Sequence, residues 1–220
     1  MTDTYRLAMV DTYRQMIAGG LGTGSSGNLS QRVDGGMLIT PTGVLPCELQ
    51  PAQLVLMSLA GELGEGQLLP SSEWHMHAGI YQARPDVNAV VHCHSRHATI
   101  LACTHRPLPA VHYMVAITAG DEVPVAPYAT FGTPALAASA VAALGDKGLA
   151  CLLANHGQVA VGASLSQALR VAQEVEELAA IYCGCLAVGE ARVLSGEAMA
   201  EVRAAFAHYG QQPRSSAPDR

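Results

Sequence analysis

The sequence is short of basic side chains. Its 220 residues carry 12 Lys and Arg against 18 Asp and Glu, a formal net charge of −6. The lone lysine, Lys147 in "LGDKG", sits in a turn-like Gly/Asp stretch. No basic footprint is available for nucleic acid or an anionic membrane surface. No apolar run approaches the ~20 residues needed to span a bilayer. The opening segment, "MTDTYRLAMVDTYRQM", has an acid at Asp3 and no long apolar core. It does not read as a signal peptide, and a cytoplasmic setting is the expectation. C-x-x-C is also missing: Cys47, Cys93, Cys103, Cys151, Cys183 and Cys185 show no framework spacing, and most are expected to be buried small hydrophobes. The C-x-C of "YCGCL" falls in a helical stretch, where positions i and i+2 face apart.

Repeats, linkers and composition breaks are absent as well, which points to one domain. Residues 4–18 read as a helix ended by Gly19-Gly20, and 53–59 as a strand. "PSSEWHMHAGIYQAR" at 70–84 begins with capping serines and continues with helical periodicity. "NAVVHCHS" reads as a short buried strand and "HATILAC" as a helix. "TPALAASAVAALG" carries Pro at its start and Gly at its end. "GLACLLANHGQVAVGAS" reads as two strands around "NHG", residues 164–187 as the strongest helix, and 195–210 as the last one. Short strands with hairpin-like connections among helices predict a layered α/β or α+β domain rather than a regular doubly wound one.

Histidines carry the chemistry. On a strand His92 and His94 face the same way with Cys93 opposite, so two imidazoles can chelate one divalent ion. A third ligand must come from elsewhere, and His156 of "ANHGQV", at the end of another strand, is the candidate. Nitrogen-rich ligation suits zinc. The plain alternative is a pair of polar residues at a strand end. His75 and His77, at i and i+2 on a helix, diverge and read as packing or surface residues. His97, His105, His112 and His208 receive the same plain reading.

Three segments can hold an anion without a lysine: "GTGSSGNLS" through backbone N–H groups, Ser26 and Asn28; "TPTG" at 40–43; and "PSSE", with Ser71 and Ser72 at a helix N-terminus. Each alone is commonly a turn or cap; together they form a neutral phosphate cradle. Glu73, in the first turn of the same helix, is either a dipole partner or a base able to move a proton beside a metal.

In order, "GNLS", "LITPTG", "LPSSEW", "AVVHCHS", "PAVHYM", "APYATFGT" and "NHG" resemble the class II aldolase family, the family of L-fuculose-1-phosphate aldolases, from about residue 5 to 210. The resemblance implies a three-layer α/β/α fold with a central, mostly antiparallel sheet over residues 1–210 and a polar tail at 211–220. It implies one zinc per subunit on His92, His94 and His156, with Glu73 as acid/base, ligating the ion or lying beside it. Gly27, Asn28, Thr42, Gly43, Ser71 and Ser72 would hold the substrate phosphate. Tyr113 would donate a proton in the neighbouring subunit's site, which implies a homotetramer with sites between subunits. Phe131, Phe206 and Tyr209 would line the aldehyde end. The implied reaction is reversible cleavage of a ketose 1-phosphate to dihydroxyacetone phosphate and a small aldehyde through a metal-stabilised enediolate.

Members of the family also cleave 5-deoxyribulose 1-phosphate or 5-methylthioribulose 1-phosphate. The L-ribulose-5-phosphate 4-epimerases share the zinc histidines but carry an aspartate after the paired serines; Glu73 favours an aldolase. A non-catalytic adducin-like protein is expected to have lost ligands, and here all of them are present.

Overall fold

The computed structural model describes residues 2–206. Helix α1 (Thr2–Ala18) leads into the strands β1 (Asn28–Val33), β2 (Gly36–Ile39) and β3 (Val55–Met57). Then follow α2 (Trp74–Ala83), β4 (Ala89–Cys93), α3 (Arg96–Cys103), β5 (Leu108–Pro109), β6 (Glu122–Val123) and β7 (Val125–Ala126). The chain closes with α4 (Pro134–Leu144), β8 (Ala150–Leu153), β9 (Gly157–Gly162), α5 (Leu165–Val188) and α6 (Gly196–Phe206). None of these helices is long and apolar enough to cross a membrane.

Seven strands form one sheet in the order β3-β2-β1-β4-β9-β8-β7, antiparallel except for the β7–β8 pair. Strand β4 lies at its centre, with neighbours on both edges. Alternation along it sorts the core into two layers. Ala89, Val91 and Cys93 pack with residues of α1, α3 and α5. Val90, between them, packs on the opposite face with residues of α2 and α4. The result is the expected three-layer sandwich, mostly antiparallel at its centre.

Local chemistry explains the element ends. Thr133 caps α4 by accepting from Leu136 N–H, with Pro134 following, and Ser164 caps α5 by accepting from Gln167 N–H. Helix α2 starts later than expected. Its N-cap is Glu73, so Ser71 and Ser72 precede the helix rather than cap it.

Candidate active site

Strand β4 delivers His92 and, just past its end, His94. Both rings face away from the cluster that holds Cys93, as strand alternation requires. The turn between β8 and β9 delivers His156. That turn is tight: Asn155 has a φ of 55°, and its N–H donates to Ala102 O at 3.1 Å. The N-terminus of α2 brings Glu73 from the facing layer.

The four side chains converge. His92 Nε2 lies 2.9 Å from His94 Nε2 and 2.9 Å from Glu73 Oε2, and His156 Nε2 lies 3.4 Å from Glu73 Oε1. The three rings form a near-equilateral triangle with centroids 4.8, 4.8 and 4.9 Å apart. The ligand atoms all lie within 4.8 Å of one another.

The donor set fits a metal. His92 Nδ1 donates to Gln158 O at 2.9 Å, which leaves the Nε2 lone pair facing the centre. Gln158 is itself pinned, its amide donating to Ser95 Oγ and Ala172 O. Glu73 Oε1 is buried with no hydrogen-bond partner among the described residues. A buried carboxylate oxygen left so is costly unless a cation satisfies it. Burial, with the nearby His92 and His156, pushes His94 down to about 4, and burial with His92 pushes His156 down to about 4. Both are therefore neutral imidazoles at pH 7, as ligation demands. Burial alone would raise the Glu73 carboxyl, but the charge and hydrogen bond of His92, with His156 and the Asn28 amide, outweigh it and hold the group well below the carboxylate range. Three imidazoles and one carboxylate thus form a metal-binding cluster of the zinc type.

A cleft of about 480 Å³ opens beside the cluster. Gly27, Asn28, Thr42, Gly43, Ser71, Ser72 and Phe131 all line it, together with Glu73, His94 and His156. Sequence reasoning missed Ser25, Tyr128 and Asn155, which line it too. Tyr128 stands in the "APYATFG" loop already singled out for Phe131, and that was the available signal. Tyr113 and Phe206 do not line this cleft; their rings lie beside each other instead, with centroids 6.3 Å apart. Within one chain Phe206 is therefore separated from Phe131. Tyr209 lies outside the described residues.

Behind the cleft a chain of hydrogen bonds runs between β1 and α2. Asn28 Nδ2 donates to Glu73 Oε2 at 3.0 Å. Asn28 Oδ1 lies 2.6 Å from His77 Nε2, His77 Nδ1 lies 2.7 Å from Ser30 Oγ, and Ser30 Oγ lies 2.8 Å from the Tyr81 hydroxyl. His77 is fully buried, whereas His75 stacks on Trp74 with centroids 3.7 Å apart. The plain reading suits His75; His77 turns out to be wired to the site. The Asn28 side chain, expected on a phosphate, is largely committed to Glu73 and His77.

Residues 7–183 match the model of the Class II Aldolase and Adducin N-terminal domain family. The chain belongs to the class II aldolase family. Among its relatives, the 5-methylthioribulose-1-phosphate/5-deoxyribulose-1-phosphate aldolase of Rhodospirillum rubrum is 44% identical over 97% of this chain and 96% of its own. The L-fuculose phosphate aldolase of Escherichia coli K12 is 44% identical over 92% of this chain and 94% of its own. A solved L-fuculose 1-phosphate aldolase superposes with a TM-score of 0.88 at 40% identity, covering 92% of this chain and 95% of that one. This class II aldolase is an aldehyde-lyase, and its His-rich cluster is the divalent-metal centre that the family's chemistry uses.

Proposed function

We propose that the protein cleaves a ketose 1-phosphate reversibly into dihydroxyacetone phosphate and a small aldehyde ending in a methyl or thioether group, as L-fuculose 1-phosphate, 5-deoxyribulose 1-phosphate and 5-methylthioribulose 1-phosphate would. The observation that carries this reading is one cleft that joins a metal-binding cluster to a set of neutral anion-binding groups. Glu73, His94 and His156 of the cluster line it, and so do Ser71, Ser72, Thr42, Gly27 and Gly43. Among the described residues no Lys or Arg lines the cleft, so the phosphate would sit on hydroxyls and backbone N–H groups.

Zinc bound by the three imidazoles would act as a Lewis acid on the ketone oxygen and stabilise the charge that develops there. Cleavage of the C3–C4 bond leaves its electron pair on the dihydroxyacetone phosphate fragment. Glu73, an ionised carboxylate at the cleft wall, exchanges the proton at that nucleophilic carbon. The C4 hydroxyl loses its proton as the aldehyde C=O forms, and Tyr113 from a neighbouring subunit takes that role. Its half-exposed ring, away from its own cleft, supports the assignment. Phosphate binding at the far end orients the reacting carbons. Phe131, with Phe206 and Tyr209, would line the aldehyde end.

This sharing of residues requires an oligomer, for which the family resemblance suggests a homotetramer, and one catalytic domain over 1–210 with a tail at 211–220 belongs to the same reading. So does a cytoplasmic setting, since sugar phosphates are charged and do not cross membranes unaided. The deciding experiment is a coupled assay for dihydroxyacetone phosphate with the three substrates, with chelator and after zinc is restored. Turnover of at least one, lost with chelator and regained with zinc, is expected. No turnover of any overturns the reading.

A further inference from the structure

The buried chain behind Glu73 has a direction, and the direction matters to the carboxylate. We propose that His77 is a positioning residue for Glu73: through the Asn28 amide it decides whether an N–H or an oxygen faces that carboxylate. The inference rests on the aldolase reading above.

An asparagine amide has nearly the same shape when flipped, so its surroundings must choose its orientation. The flipped Asn28 would set its oxygen 3.0 Å from Glu73 Oε2, acceptor against acceptor. What forbids the flip is the tautomer of His77. If Nε2 carries the proton, it donates to Asn28 Oδ1 and the NH2 group must face Glu73. If Nδ1 carries it, Nε2 calls for the NH2 group and the oxygen turns to Glu73.

The remote end of the chain sets the tautomer. The Tyr81 hydroxyl is buried against Ser30 Oγ at 2.8 Å, and a buried O–H must give its proton to an acceptor. The Tyr81 hydroxyl then has its one proton to give to Ser30 Oγ, and Ser30 gives its own to His77 Nδ1. His77 Nε2–H is left to donate to Asn28. Burial pushes His77 down to about 3, so the ring stays neutral and keeps one donor and one acceptor. Each link is short, between 2.6 and 3.0 Å. The chain is built by matched spacing. Asn28 and Ser30 repeat every second residue on β1, about 6.7 Å apart, while Glu73, His77 and Tyr81 repeat every fourth on the α2 side, about 6 Å apart.

The test compares His77→Leu, His77→Gln and Ser30→Ala with the wild-type holoenzyme. Steady-state kinetics are run on whichever ketose 1-phosphate the wild type cleaves, and zinc affinity is measured without substrate by chelator competition. Loss of such a supporting partner typically costs 10–100-fold, so His77→Leu is expected to lower kcat by about that factor with KM within roughly threefold, and to weaken zinc at least several-fold. His77→Gln, which keeps an N–H for Asn28, should recover most of both. Ser30→Ala frees the tautomer and should lower kcat by a smaller factor; it also decides the matter if His77→Leu does not fold. A folded His77→Leu with wild-type kcat and zinc affinity overturns the proposal, as does a His77→Gln no better than Leu, or an unaltered Ser30→Ala where Leu fails to fold. A wild type that cleaves nothing defeats the aldolase reading instead, and the zinc measurement still reports on His77.

Discussion

The Nε2 atoms of His92 and His94 approach to 2.9 Å although Cys93 separates them in the chain. Two imidazole nitrogens held that close, with His156 and Glu73 completing the set, are arranged for a shared ion. Chelation is therefore expected to abolish activity, and dialysis against zinc to restore it. His94→Ala should retain the fold but bind zinc far more weakly; metal content and far-ultraviolet circular dichroism check this.

Glu73→Gln replaces the ionised carboxylate with an isosteric amide. Removing a general acid/base typically costs 10²–10⁴-fold, and a kcat loss of about that size is expected with the protein still folded. Wild-type kcat in this variant would show that another group moves the proton.

Acid should destabilise the metal-free protein. His77 titrates near 3 in the fold, and His94 and His156 near 4, all depressed below an unfolded value near 6.5. Between those values the unfolded chain binds more protons, so stability falls as pH drops from about 6.5 toward 4 and continues to fall toward 3 through His77. Glu73 adds to the loss below about 4.5, because its folded value is also depressed. Melting temperature measured from pH 7 to 4 should decline steadily; a flat profile would contradict the neutral buried imidazoles.

Gly157 stands where β9 begins against the end of β4. A Cβ there would lie 2.5 Å from Cys93 O and 2.8 Å from His94 Cδ2. Gly157→Ala must shift either strand or ligand, at a cost of about 1–3 kcal/mol. Lower melting temperature together with weakened zinc affinity is the expected signature.

If Tyr113 serves the neighbour's cleft, inactive variants should rescue each other. Mixing unfolded Glu73→Gln and Tyr113→Phe chains and refolding them together should restore about a quarter of the sites, since random assembly pairs the two intact residues that often. Sedimentation of the wild type should show a tetramer. No rescue, or an active monomer, would place the proton donor within one chain.

Much of this site was legible before any coordinates. Strand alternation alone put His92 and His94 on one face, and the His-Gly of "NHG" marked a strand end that presents His156. Pro134 at the start and Gly145 at the end marked α4, and residues 164–187 stood out as the strongest helix. Other parts needed the third dimension. His77 looked like a helix residue diverging from His75 because nothing local says that β1 lies along α2. Only then do the rows 28–30 and 73–77–81 fall into step. The aldehyde end is placed only in part: Phe131 lines the cleft, whereas Tyr113 and Phe206 lie beside each other and do not line the cleft of their own chain. Glu73 shows the ordinary limit of boundary prediction, moving from first turn to N-cap while still meeting the three histidines.

The central place of β4 has a last consequence. His92 is paired with Asn28 on one side and Val159 on the other, so its backbone is clamped from both edges. A ligand on such a strand cannot follow a departing ion. The site should keep its shape through repeated loss and reloading of metal, with the speed of reconstitution governed by how quickly the incoming ion sheds its water rather than by any rearrangement of the chain.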